Sequence, residues 1–125
     1  MAALLVIDDE PGVLEFLALV LRQAGHTVVT ADNGREAFRI LHQSPVDLVL
    51  TDIYMPEQDG IELVQRVRSQ FPEIKLIAIS GGVGGESLLE AAGRLGADAA
   101  LSKPVTSNDL IKTVAQVLQC PLPSA

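Results

Sequence analysis

Four polar stretches of this chain are candidates for chemistry, because each follows a run of apolar residues that could form a buried strand. They are Asp8-Asp9, Asp52, Ser80 and Lys103. A carboxylate that leaves a dry strand must be hydrated, paired or bound to a metal, because burying it alone is costly. Ligands of open α/β sheets bind beyond the carboxyl ends of the strands. If these runs belong to one parallel sheet, we expect the four stretches to share a single rim.

The three carboxylates would repel one another at such a rim. If the first and third strands are neighbours, each pair about 5 Å apart costs about 3 kcal/mol at an effective dielectric of about 20. A raised pKa or a divalent cation must offset that repulsion. Oxygen-only ligands favour Mg²⁺, which keeps several waters and accepts phosphate oxygens. With the positive charge of Lys103 and the hydroxyl of Ser80, this donor set suits a phosphoryl group.

The elements that must position these residues alternate along the chain, strand then helix, five times. The strand segments are continuously apolar, which is typical of a parallel sheet covered by helices on both faces. The sequence therefore predicts one α/β domain over residues 1–125, a doubly wound five-stranded parallel sheet with five helices, with 120–125 as a tail or linker stub. The predicted strands are Ala3–Ile7, His26–Ala31, Asp47–Thr51, Lys75–Ser80 and Ala97–Leu101. The predicted helices begin at Pro11, Gly34, Gly60, about Leu88 and Thr106.

The composition argues against several classes of protein. The 125 residues carry a net charge of −7, which disfavours nonspecific binding to nucleic acid or anionic membranes. No apolar run approaches the roughly 20 residues of a membrane span, and the first residues lack the pattern of a signal peptide. The single cysteine, Cys120, fits a reducing compartment. We therefore expect a cytoplasmic protein with no direct contact to nucleic acid or membrane.

The full set of motifs resembles the receiver domain of two-component response regulators, of the chemotaxis-regulator type. The resemblance covers about Leu4 to Gln119, with every motif in order and in the expected strand context. It implies a flavodoxin-like fold with the strand order 2-1-3-4-5. The motifs that carry it are Asp8-Asp9, Asp52, Met55-Pro56, Asp59-Gly60, Ser80 and Lys103-Pro104.

The resemblance implies that Asp52 is the phosphoacceptor, which attacks a phosphohistidine on a histidine kinase or phosphotransfer protein. Lys103 would pair with one phosphoryl oxygen, and Ser80 would donate its hydroxyl to another. Such a protein is not a conventional enzyme, since it only assists its own phosphorylation and dephosphorylation. The phosphoryl group would then switch the binding of a downstream protein or output domain, or dimerisation.

The resemblance also implies a metal site, for Mg²⁺ with Mn²⁺ as the alternative. Asp9 and Asp52 would bind the ion directly. Asp8 would act through water, and the backbone carbonyl of Tyr54 would complete the protein's share. Because Tyr54 is bulky, we also expect its side chain to shield the acyl phosphate from water and slow its hydrolysis.

The switch residues depart from the family pattern. Ala100 stands where the family usually has Tyr or Phe, three residues before the lysine. Gly81 and Gly82 follow Ser80 in a glycine-rich loop, where alanine is usual directly after the hydroxyl residue. We therefore expect ordering of Ser80 to Glu90 to replace the usual movement of an aromatic ring. The family face formed by the fourth helix, fifth strand and fifth helix is small and smooth here, which would allow a homodimer.

Three other functions compete with this interpretation. A flavodoxin-like electron carrier shares the fold class, but Asp8-Asp9-Glu10 would repel the phosphate in its first loop unless a metal intervened. A haloacid-dehalogenase-type phosphatase carries its nucleophile in an Asp-x-Asp motif, which this acidic stretch does not match. A pseudo-receiver, which binds proteins without being phosphorylated, typically loses the acidic pair, the acceptor or the lysine. This chain keeps all of them.

Overall fold

Five parallel strands form the central sheet in the computed structural model of the protein, which describes residues 2–55, 58–80 and 96–119. A second, two-stranded antiparallel sheet follows the third of these strands. The strands are β1 (Ala3–Ile7), β2 (Thr27–Ala31), β3 (Leu48–Asp52), β4 (Tyr54–Met55), β5 (Gln58–Asp59), β6 (Lys75–Ser80) and β7 (Ala99–Ser102). The helices of the described residues are α1 (Pro11–Gln23), α2 (Gly34–Gln43), α3 (Gly60–Gln70) and α4 (Ser107–Gln119).

The order of the central sheet is β2-β1-β3-β6-β7, which confirms the predicted order of its five strands. The predicted helix over Leu88 to Leu95 and the predicted tail at 120–125 lie outside the described residues. The third strand is one residue out of step with the prediction, since it ends at Asp52 rather than Thr51. The last helix begins at Ser107, and the Thr106 side chain caps it by accepting a hydrogen bond from the Asp109 N–H at 3.1 Å.

Two apolar layers hold the sheet between its helices, because successive side chains of a strand point to opposite faces. On β1, Leu5 and Ile7 pack with α2 and α3, whereas Leu4 and Val6 pack with α1 and α4. Both faces of the central strands are therefore dry, which accounts for their continuous apolar sequence. Within the described part of the chain, every helix is too short or too polar to cross a bilayer.

Arg68 ties the end of α3 to the segments that lead into β6 and β7. Its Nη2 donates to the Gly96 carbonyl at 2.6 Å and to Asp98 Oδ2 at 2.8 Å. The same Asp98 oxygen accepts the Leu76 N–H at 2.8 Å. Gly96 has a φ of 119°, and a Cβ there would lie 2.9 Å from Arg68 Cγ. This contact therefore requires glycine at position 96.

Replacing Arg68 by Ala is expected to lower the free energy of unfolding by about 1–2 kcal/mol. The substitution removes three charge-assisted hydrogen bonds at a partly exposed site, to the carbonyls of Pro72 and Gly96 and to Asp98. Urea unfolding followed by circular dichroism measures the loss. Arg35→Ala is the matched control, since Arg35 is an exposed arginine of α2. Equal stability of the two variants would contradict a stabilising role for the Arg68 contacts.

Candidate functional site

Side chains from four neighbouring strands meet at the carboxyl edge of the central sheet. Asp52 is the last residue of β3 and Ser80 the last residue of β6, and their exposed fractions are 3% and 1%. Asp8 directly follows β1 and is fully buried, and Lys103 directly follows β7. Because β1, β3, β6 and β7 are adjacent in the sheet, the structure brings together the four groups that the sequence singled out.

Backbone hydrogen bonds continue past the strand ends and fix the backbone positions from which these side chains extend. The Asp8 N–H donates to the Ala31 carbonyl at 3.2 Å, which extends the pairing of β1 with β2. The Lys103 N–H donates to the Ser80 carbonyl at 2.9 Å, which extends the pairing of β7 with β6. The functional side chains therefore stand on the rigid sheet.

Lys103 is the cation that holds the acidic groups together. Its Nζ lies 2.7 Å from Asp52 Oδ2, within hydrogen-bond distance, and 3.3 Å from Asp8 Oδ2. A third carboxylate oxygen, Glu10 Oε1, lies 3.9 Å from the same nitrogen. The ammonium group therefore partly neutralises two buried carboxylates and one exposed carboxylate.

The pKa values of Asp8 and Lys103 are both shifted, by burial and by the charges that surround them. Burial raises the pKa of Asp8, and the nearby charge of Asp52 adds to the effect, while the Glu10 N–H and Lys103 oppose it. Burial by itself lowers the pKa of Lys103, but the hydrogen bond and charge of Asp52, together with the attraction of Asp8, outweigh it. The net pKa of Lys103 is raised, so this side chain is a permanent positive charge at neutral pH.

Two buried oxygen atoms of the rim lack hydrogen-bond partners among the described residues. Ser80 Oγ has none, although a buried hydroxyl left unpaired costs about 1–3 kcal/mol. Asp8 Oδ2 is also without a hydrogen bond, since its 3.3 Å approach to Lys103 is an ion pair without hydrogen-bond geometry. Such orphaned polar atoms in a ligand-accessible rim are typical of a site that a ligand completes.

Carboxylate oxygens at this rim also fit a hard divalent cation. One oxygen each from Asp8, Asp9 and Glu10 lie within 4.8 Å of one another, with Asp8 buried and the other two exposed. This all-oxygen set, in which Asp8 Oδ2 accepts no hydrogen bond from the described residues, has the chemistry that Mg²⁺ or Mn²⁺ prefers. Glu10 was not among the predicted ligands, although its position directly after Asp9 was a visible signal. Tyr54, whose carbonyl was predicted as a ligand, lies in β4 and pairs with Asp59.

An open, mostly apolar cleft of about 680 Å³ leads to Asp52. One wall comes from α1 and the other from the segment after β7, and Lys103 and Glu10 stand at its polar end. Phe16 of the α1 wall is 41% exposed, whereas Phe38 of α2 is 7% exposed.

The comparison with known proteins identifies the family. A model of the response regulator receiver domain matches residues 4–115 of this chain. The chain belongs to this family. The receiver is 36% identical to the response regulator receiver protein CpdR of Brucella abortus, over 94% of this chain and 98% of that protein.

Other relatives of this receiver are much longer proteins. It is 35% identical to the transcriptional regulatory protein GlrR of Escherichia coli, over 98% of this chain but only 28% of GlrR. It is 36% identical to the sensor histidine kinase RcsC of Salmonella typhi, over 90% of this chain but only 12% of RcsC. The same kind of sequence therefore occurs both as a short protein and within longer ones.

Solved structures agree with this assignment. The receiver domain of NtrX from Brucella abortus superposes with a TM-score of 0.88 at 29% identity, over 94% of this chain and 99% of that one. A response regulator receiver domain protein from Clostridium thermocellum superposes with a TM-score of 0.85 at 30% identity, over 94% of each chain. The receiver fold is thus shared across nearly the whole chain.

The predicted switch positions of this receiver fall partly within the described residues. Ala100 lies on β7, is exposed, and is paired with Ala78 of β6. Ser80 is buried at the end of β6. Gly81 and Gly82, with the remainder of the loop up to Glu90, lie outside the described residues. The proposed ordering of that loop therefore stays a prediction.

Proposed function

We propose that this receiver is controlled by phosphorylation of Asp52, with the phosphoryl group supplied by a histidine kinase or a phosphotransfer protein. The observation that carries the proposal is the contact of 2.7 Å between Lys103 Nζ and Asp52 Oδ2 at the end of β3. A carboxylate that is 3% exposed but borders an open cleft is reachable by a donor and is screened from bulk water. Asp52 is therefore the best-placed nucleophile among the described residues.

The transfer needs little covalent chemistry from the protein. An Asp52 oxygen forms a bond to phosphorus as the bond from phosphorus to the donor nitrogen breaks, and the electron pair of that bond stays on the leaving imidazole. Lys103 neutralises charge on the phosphoryl oxygens. The Ser80 hydroxyl, which has no partner among residues 2–55, 58–80 and 96–119, donates to one of them. Positioning and charge neutralisation together account for the catalysis, which makes the protein a phosphoacceptor rather than a conventional enzyme.

The divalent cation belongs to the same proposal. Asp8, Asp9 and Asp52 would hold it, with the Tyr54 carbonyl as a further ligand and Glu10 at the edge of the acidic group. When bound, it supplies positive charge that neutralises the phosphoryl oxygens during transfer. The support in this structure is that one oxygen each from Asp8, Asp9 and Glu10 lie within 4.8 Å of one another, and that Asp8 Oδ2 accepts no hydrogen bond from the described residues.

The names of the relatives suggest what such a switch would act on. RcsC is named a sensor histidine kinase and GlrR a transcriptional regulatory protein. By analogy, this receiver would take its phosphoryl group from a kinase in the cytoplasm and pass the signal to a downstream protein or output domain. Since Ala100 replaces the usual aromatic, the signal would travel through ordering of residues 80–90. A homodimer through the face formed by the predicted helix that begins at about Leu88, β7 and α4 is a further proposed readout.

Binding of a phosphoryl mimic tests the proposal directly. We expect calorimetry to show that beryllofluoride binds only when Mg²⁺ is present, and acetyl phosphate to add one phosphoryl group that peptide mapping assigns to Asp52. Phosphorylation control would be contradicted if, at saturating Mg²⁺, beryllofluoride did not bind and acetyl phosphate added no phosphoryl group. That result would instead favour a pseudo-receiver, which binds its partners without being phosphorylated.

A further inference from the structure

We propose that Glu10 selects phosphoryl donors by the charge of their leaving group, disfavouring donors that release an anion. This inference rests on the proposed function, because it concerns the donor side of the Asp52 site. Glu10 shares the cleft with Asp52 and Lys103, and its side chain is 66% exposed. It is therefore available to a donor, whereas the neighbouring Asp8 is fully buried.

The cleft is where the leaving group must sit. In phosphoryl transfer the attacking oxygen, the phosphorus and the leaving atom lie roughly in line. A donor attacked by Asp52 therefore directs its leaving group away from β3 and into the open space that Asp52 lines. The walls of that space are largely apolar, with Val13 and Phe16 on α1 facing Pro104 after β7. Such walls accept an uncharged ring readily, because no charged group has to give up its hydration when the ring enters.

Glu10 adds a negative charge at the polar end of this apolar space. When the bond to phosphorus breaks, N-phosphorylimidazole that is protonated on its other ring nitrogen releases neutral imidazole. Phosphoramidate that is protonated on its nitrogen releases neutral ammonia. Acetyl phosphate instead releases acetate, so negative charge develops on the leaving group as the electron pair moves onto its oxygen. The Glu10 carboxylate repels that developing charge and does not repel a neutral leaving group.

A second role for Glu10 makes a different prediction. Its Oε1 lies 3.9 Å from Lys103 Nζ, so Glu10 could act only by positioning the lysine. Lys103 faces the phosphoryl group, which is the same in every donor. Loss of a positioning contact would therefore change the rates with all donors by the same factor, whereas loss of a charge filter changes their ratio.

The test compares three donors on wild-type protein and Glu10→Gln, each at Mg²⁺ saturating for that variant. We expect the substitution to raise the rate constant with acetyl phosphate about three- to eightfold, as expected for two unit charges about 7 Å apart in a partly solvated site. An effect of the substitution on Lys103 or on the bound ion would enter the rate constants of all three donors alike. We therefore expect the ratio of the acetyl phosphate rate to the phosphoramidate and N-phosphorylimidazole rates to rise by about the same three- to eightfold. Glu15→Gln is the matched control, because it removes an equal charge from an exposed position of α1 outside the cleft lining.

Three results would overturn the inference. Equal changes with all donors would assign Glu10 to the positioning of Lys103. No change in the rate constant with any donor would show that the Glu10 charge is not felt by the leaving group. The same change in Glu15→Gln would show that only the overall charge of the protein matters. If instead no donor phosphorylates the wild-type protein, the proposed function itself fails, which is a distinguishable outcome.

Discussion

Replacing Asp52 by Asn is expected to abolish phosphorylation by every donor, with a rate constant lowered by more than about a thousandfold. An amide has nearly the shape of the carboxylate but offers no anionic oxygen to attack phosphorus. Asp52 is the last residue of β3 and the carboxylate nearest to Lys103. No other described side chain combines these two features. Intact-mass measurement after incubation with acetyl phosphate and Mg²⁺ records the loss.

Asp32→Asn is the matched control for Asp52→Asn. Asp32 follows β2 at the same edge of the sheet but is exposed, so it tests whether any aspartate at this edge affects the reaction. We expect Asp32→Asn to be phosphorylated like the wild type. Phosphorylation of Asp52→Asn at the wild-type rate would show that the phosphoryl group goes to a different residue, and it would remove the basis of the proposed mechanism.

Replacing Lys103 by Met is expected to destabilise the metal-free protein by about 2–3 kcal/mol at neutral pH. The substitution keeps an apolar stem of similar length but leaves the buried carboxylates of Asp8 and Asp52 facing each other without the ammonium group. We place the effect below that of a fully buried ion pair, because the Lys103 side chain is 22% exposed. Urea unfolding in the presence of a chelator measures it, with exposed Lys112→Met of α4 as the control.

The loss in Lys103→Met should depend on pH in a defined direction. Burial raises the pKa of Asp8 above its ordinary value of 3.8, so the folded protein binds this proton more tightly than the unfolded chain. Stability from Asp8 is therefore present at low pH and is lost as the pH rises above 3.8. Removing Lys103 takes away an attraction that opposes this shift. The difference between the variant and the wild type should accordingly shrink toward acidic pH and reach its full size at neutral pH.

A second substitution separates the cation from simple packing. In the double variant Asp52→Asn with Lys103→Met, one of the two buried charges is gone, so we expect a smaller loss than Lys103→Met alone shows. A Lys103→Met variant as stable as Lys112→Met, or a loss that does not vary with pH, would contradict the ion-pair interpretation.

The bounds of β3 show how far the sequence could predict a strand, since the position was right but each end was misplaced by one residue. The apolar run over Leu48 to Leu50 indicated a buried strand, and the structure confirms it. The predicted strand ran from Asp47 to Thr51, whereas the strand of the structure runs from Leu48 to Asp52. In the structure Asp52 continues the ladder opposite Ile79, since Lys103 arrives from β7 and compensates its charge. A contact over such a sequence separation leaves no trace in local patterns.

Glu10 shows the same limit of local sequence patterns, because they do not reveal which distant groups a side chain contacts. Its place after Asp9 was evident, but nothing in the local sequence says whether a residue just before a helix faces solvent, a metal or a distant lysine. The direction of α1, which begins at Pro11, places the Glu10 carboxylate 3.9 Å from Lys103 and in the cleft beside Asp52. The donor-selecting role proposed for Glu10 therefore came from the structure.

Local periodicity in the sequence was sufficient to determine that the chain alternates strands and helices and that its polar groups follow the strands, because burial imposes those patterns on neighbouring residues. The motifs also indicated the family through resemblance. Only the tertiary structure decided which groups touch, because the order β2-β1-β3-β6-β7 brings Asp8, Asp52 and Lys103 within ion-pair distance through pairings between distant segments. The buried Ser80 hydroxyl, which has no hydrogen-bond partner in the described part of the chain, and the apolar cleft likewise arise from packing between elements, which local sequence patterns do not encode.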